Sequence, residues 1–260
     1  MQFTSGHFLI GSQTLETDYQ LLPSDTEILG NETTLKVSGK VRWLGLPTGP
    51  EATDGVKNFQ MSHMIFEAED LSKGASFMIM TNHGDDWMIR HNQFIMVQPA
   101  GGHVFDLGGL QNSLFEGNAF IGFAPELTNK IPLPTEHGHD YYAEAIQFDR
   151  SSNNGIWDAN IIKDVNPEFF NDYNQVAYNS SNITVSNNIF KEYRDVSGNI
   201  IAYGPSIGQH QHSSGVTDAY IYHNTFQSPL ISRLNSSLWV LQPIHFSPNS
   251  TFVSENNTIQ

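Results

Sequence analysis

"GGHVFDLGGLQNSLFEGNAFIGF", residues 101–123, sets His103 three residues before Asp106, then a glycine pair, then Asn118 two residues before Phe120. Alone, it reads either as a strand bearing catalytic groups or as one turn of something built by repetition. The rest of the chain favours repetition. "WMIRHNQF" ends at Phe94, "SLFEGNAF" at Phe120, "GIWDANII" at Ile162, "ITVSNNIF" at Phe190, "AYIYHNTF" at Phe226 and "FVSENNTI" at Ile259. A degenerate copy, "FQMSHMIF", ends at Phe66. Every copy closes on Phe or Ile, and all but the degenerate one carry Asn two residues earlier. Successive closing residues stand 26 to 42 residues apart, the spacing of solenoids and propellers.

One short strand, one Asn turn and one inward aromatic per period fit a stacked solenoid better than a four-stranded blade. Within a copy the pattern alternates: Trp87 and Ile89 against Arg90, Ile183 and Val185 against Ser186, which is the period of a strand. Asn suits the turn because it tolerates the left-handed conformation and its amide can bond the Asn of the next coil. The expected result is a ladder of stacked Asn with Phe and Ile stacked inside. Trp157 falls at an inward position of its copy.

Composition agrees. Charged residues make up 15% of the 260, against roughly 25% in an average domain, and Asn and Gly, both poor helix formers, fill the gap. A net charge of −15 argues against nucleic acid or an anionic membrane as partner. It also disfavours a strongly anionic polymer unless cations bridge the two. The absence of Cys excludes disulfides, zinc–thiolate sites and thiol nucleophiles. No run of 18 apolar residues occurs, so membrane insertion is not expected, and the opening residues lack the basic-then-apolar order of a signal peptide.

The "NNxF" turns, the "HVFDLGG" and "EAIQFD" strands and the opening "LLPSDTEILGNETTLKVSG" resemble the right-handed parallel β-helix of the pectin-lyase-like superfamily. The likeness runs over roughly residues 20–260. It implies an all-β, single-stranded parallel β-helix with an Asn ladder. One domain is expected over residues 1–260, with 1–50 as N-terminal cap and first coils, and 124–143 and 194–206 as loop excursions. The superfamily includes polysaccharide lyases, hydrolases of the polygalacturonase type, phage tailspikes and non-catalytic adhesins.

Function in a solenoid sits where a coil departs from the pattern or grows a loop. The strands "HVFDL", "EAIQFD" and "SIGQHQH" hold similar places in their coils. With Phe105, Leu107, Ile146 and Phe148 inward, Asp106, Gln147 and Asp149 point out, in a row with His210. If Asp106 stacks on Gln147, Asp149 lies about 8 Å from Asp106, within the roughly 6.5–9.5 Å spacing of inverting glycosidases. Asp106 and Asp149 are therefore candidate general acid and base, with His139 and Asp140 of the loop as further catalytic candidates. His103, His137, Tyr141, Glu144, Gln147, His210 and His212 are candidate substrate contacts. "HGHD", residues 137–140, resembles the Gly-His-Gly element of polygalacturonases, whose other elements do not appear in order here. Tyr141 and Tyr142 beside His139 keep an elimination route open. His63, His91 and His223 each precede the ladder position and read as parts of the repeat.

Oxygen ligands and the acidic balance permit Ca²⁺ among Asp85, Asp86 and Asp106, without a calcium-loop motif; no other cofactor is expected. The reading is a carbohydrate-active β-helix working on a polysaccharide, by hydrolysis on a carboxylate pair or by elimination, on a phage tail, a cell surface or outside the cell. The alternative is a non-catalytic glycan-binding adhesin or receptor-binding β-helix. The last copy stops at "NNTIQ" without a cap, which is read as a piece of a longer chain or an end covered in an oligomer, with a homotrimer favoured over a monomer.

Overall fold

The computed structural model describes residues 5–11, 20–45, 55–97, 103–123, 144–151, 178–209, 215–231 and 242–260. Among them the regular structure is strand, without an α-helix, and no helix is long and apolar enough to cross a membrane. The stretch 101–123 contains one coil. Phe105–Gly108 lies on a first face, Gln111–Glu116 on a second and Ala119–Ile121 on a third. Each then pairs in parallel with its counterpart in the coils before and after. The first face is a seven-stranded sheet, and the other two form one thirteen-stranded sheet. Two long strands, Glu27–Val37 and Gln60–Ala68, pass through both of these faces and join them. The fold is a parallel β-helix.

The corner between the second and third faces is built as the sequence predicts. His63, His91, Gly117, Asn187, His223 and Asn256 all hold positive φ, between 53° and 66°, in the slot before the ladder. Gly, Asn and His enter this region more readily than other residues do, and neighbouring bonds fix the turn. Those bonds are the ladder's. Asn92 Nδ2 donates to Asn118 Oδ1 at 3.1 Å, and the chain continues through Asn188, Asn224 and Asn257 at 3.0 Å per rung. Each amide also donates to a carbonyl of the preceding coil, Asn118 to Ile89 and Asn188 to Phe115. Met64 holds the ladder position of the degenerate copy, and its backbone N–H donates to Asn92 Oδ1.

Phe66, Phe94, Phe120, Phe190 and Phe226 stack behind this ladder, centroids 4.6 to 5.1 Å apart and planes within 12°. Dry, ordered aromatic contact of this kind adds to the burial of each ring. The rung expected at "GIWDANII" is absent from the stack. Asn118 bonds directly to Asn188 and Ala119–Ile121 pairs directly with Ile189–Lys191. Residues 152–177 lie outside the described residues. The expected loop at 194–206 contains structure of its own, an antiparallel hairpin of Tyr193–Arg194 with Ile200–Ala202.

A second turn column, which the sequence reading missed, precedes the second face. Asn58, Asp86, Asn112, Asn182 and Asp218 hold φ between 49° and 56°, each three residues before an inward apolar side chain. Asn182 Nδ2 donates to Asn112 Oδ1, and Asn112 Nδ2 to Asp85 Oδ1. Its signal was there as Asn or Asp at a fixed offset, hidden by the lack of one repeated residue type.

Candidate functional site

The expected outward row lies on the first face. Gln147 pairs with Asp106 and Asp149 with Gly108, which is the register that the strand reading required. Alternation turns Phe105, Leu107, Ile146 and Phe148 into the core, all fully buried, and leaves Asp106, Gln147 and Asp149 facing out. Two of the three are nevertheless shut away from water, Gln147 and Asp149, while Asp106 is half-buried. Glu144–Asp149 is buried at all six positions, and Asp149 is 0% exposed.

Gln147 stands between the two carboxylates and bonds both. Its Nε2 donates to Asp149 Oδ2 at 2.8 Å and to Asp106 Oδ1 at 3.2 Å. One oxygen of each carboxyl is thus occupied as an acceptor by the same amide. The Oε1 of Gln147 is buried and has no hydrogen-bond partner among the described residues.

At the other end of the same strand Glu144 joins two histidines. His245 Nε2 lies 2.6 Å from Glu144 Oε1. His103 Nδ1 lies 3.0 Å from the Glu144 carbonyl and 3.6 Å from Oε2. All three side chains are at most 3% exposed. His245 Nδ1 meets the Gln242 carbonyl at 2.7 Å, and a carbonyl only accepts, so Nδ1 carries a proton. The short Nε2–Oε1 contact then needs one more proton, shared between imidazole and carboxylate.

His245 was missed in the sequence because "PIHF" is separated from its repeat by a long gap. Its signal was the same alternation as "HVFDL", with Ile244 and Phe246 flanking an outward His. The strands confirm the placement: Ile207 pairs with Ile244 and Gly208 with His245. Gly208 occupies the coil between Glu144 and His245, and it leaves room for the ring to cross.

The remaining candidates divide by place. His137, His139, Asp140, Tyr141, His210 and His212 lie outside the described residues, as does Trp157. His83 is buried at the corner between the first and second faces, with Nε2 2.8 Å from Ser151 Oγ. Asp85 and Asp86 sit at the turn before the second face, whereas Asp106 sits within the first. Among the described residues no group of three His, Asp or Glu side chains is placed to hold a metal ion. Trp87 and Trp43 belong to the packing. Trp87 Nε1 donates to the Val56 carbonyl, and Trp43 meets Phe77 edge-on at 5.3 Å.

No protein-family model and no curated protein matches the sequence. Solved structures do. One is the crystal structure of PfbA, a surface adhesin of Streptococcus pneumoniae, with a TM-score of 0.57 at 15% identity over 99% of this chain. A second structure of the same S. pneumoniae surface protein and adhesin matches with a TM-score of 0.47 at 19% identity, over 86% of this chain and 58% of that one. The likeness is one of fold. This chain spans about half, 53%, of the length of the first PfbA chain.

Proposed function

We propose that this chain is the β-helix of a bacterial surface adhesin, one that holds glycans outside the cell and does not cut them. The observation that carries the reading is the state of the carboxylate pair. Asp149 is closed to solvent and Gln147 occupies the space between it and Asp106, bonding both. A hydrolase needs a water and a sugar in that space. The likeness to PfbA, a surface adhesin, supports the same choice.

On this reading Glu144, His103 and His245 are a buried polar staple joining coils, and recognition falls to exposed faces. The test is incubation with a panel of bacterial and plant polysaccharides. Reducing ends and the ultraviolet absorbance of unsaturated uronate ends are followed alongside glycan-array binding. Binding without either product is the expected result. Turnover that disappears in Asp106→Asn would overturn the reading and return the chain to the depolymerases.

A further inference from the structure

The second face is open where the first is closed. Pairing aligns two rows on its outer side along the helix axis. Met88, Leu114, Thr184, Tyr220 and Val253 form one. Arg90, Glu116, Ser186, Tyr222 and Glu255 form the other, in which the short Ser186 side chain is covered and its neighbours form the surface. At one end of the rows lies a cleft of about 280 Å³, lined by Gln60, Ser62, His63, Met88, Arg90 and His91 among others. At the other end Tyr220 and Tyr222 are 45% and 36% exposed.

The cleft's wall is built by the ladder turn. His63 and His91 are thrown outward by their positive φ, and their rings lie 5.4 Å apart, tilted by 41°. Gly117 holds the next place in that column, and a Cβ there would stand 2.5 Å from His91 Nδ1, so the glycine keeps space for the imidazole. Arg90 is held from the far side by Glu116, with Nε 3.4 Å from Oε2.

The chemistry suits a sugar. An amide, a guanidinium fork and two imidazoles offer planar donors and acceptors to hydroxyl groups. The Met88 thioether and the tyrosine rings offer apolar surface to the C–H faces. It suits an uncharged sugar in particular. Glu116 already compensates Arg90, Glu255 stands in the same row, and a chain of net charge −15 repels a polyanion. From Arg90 to Tyr222 is three coil steps, about 14 Å, the length of a short oligosaccharide.

We propose that the outer side of the second face holds a neutral glycan chain laid along the helix axis. One sugar is seated between His63, His91 and Arg90, and the chain runs on to Tyr220 and Tyr222. This rests on the adhesin reading and gives it a place and a ligand class.

The test is native electrophoresis of the full chain in gels containing galactomannan, dextran or yeast mannan, and in gels containing polygalacturonate or alginate. At least one neutral gel should retard the protein. Arg90→Ala, Gln60→Ala and Tyr222→Ala should each weaken that retardation about tenfold in apparent affinity, with melting temperatures unchanged, because all three side chains face outward. Ile189→Ala, on the exposed third face, should not. Neutral-gel retardation untouched by the three variants would overturn the site and leave the adhesin reading standing. Retardation by acidic gels alone would overturn the ligand class. Silence in every gel, with no glycan bound on an array, would overturn both.

Discussion

Gly208 is the gap through which His245 reaches Glu144. A Cβ on Gly208 would stand 2.3 Å from His245 Cδ2 and 2.4 Å from the His245 carbonyl oxygen, closer than real side chains approach. Glu144 and His245 lie on strands separated by the coil that carries Gly208. The buried contact therefore exists only because the intervening coil has no side chain at that position.

Gly208→Ala should destabilise the protein by about 2–4 kcal/mol, read as a lowered urea midpoint. His245→Ala in the same chain should relieve only part of the loss, because the backbone oxygen remains in the way. Full recovery in the double variant would show that the ring alone set the constraint.

Glu144→Gln keeps the shape of the side chain and removes its charge. With His245 and His103 both buried against it, the cost should be about 3 kcal/mol. Glu144→Gln combined with His245→Ala should cost less than the sum of the two, as members of one network do. A double-mutant cycle in urea measures the coupling; simple additivity would mean that the 2.6 Å contact contributes nothing to stability.

Asn118 is an interior rung, accepting from Asn92 and donating to Ile89 and Asn188. Asn118→Ala leaves buried partners unmatched and should cost about 3 kcal/mol. Asn257 stands in the outermost coil, whose strand Phe252–Glu255 is exposed along its length. Its replacement by Ala should cost about 1 kcal/mol. Equal effects at the two positions would argue against a ladder whose interior is dry.

Asp70 caps the turn between Gln60–Ala68 and Ser76–Asn82. The Ser72 hydroxyl donates to its Oδ1 at 2.6 Å, Lys73 Nζ lies 3.0 Å from Oδ2, and these hold its pKa at about 2 rather than the ordinary 3.8. Its folded value is depressed, so its contribution is complete above the unfolded pKa and is lost as pH falls through the folded one. The Ser72 amide signal should therefore titrate with its midpoint at about pH 2 rather than 3.8, and Asp70→Asn should abolish that shift. Asp195, held low by Asn199, should show the same direction at the 195–199 turn.

Much of this was legible in the sequence because a stacked repeat writes its contacts at fixed offsets. Asn two residues before Phe specified both ladder and aromatic stack, and alternation in "HVFDL" and "EAIQFD" specified which side chains face out. The copy at Asn160 showed the limit. Its local pattern matched, yet the rungs on either side close on each other, and local pattern carries no information about which coils are neighbours. Alternation likewise tells which side chains face out but not whether water reaches them, as the burial of Asp149 shows.

The sequence by itself determined the coil, because a residue's preference for a turn or an inward slot acts over a few bonds. Only the tertiary structure decided what the carboxylates do. Whether Asp106 and Asp149 flank a water or share an amide depends on Gln147, which pairing sets beside Asp106 from 41 residues away. That proximity is set by coil-to-coil packing, and no spacing along the chain encodes it.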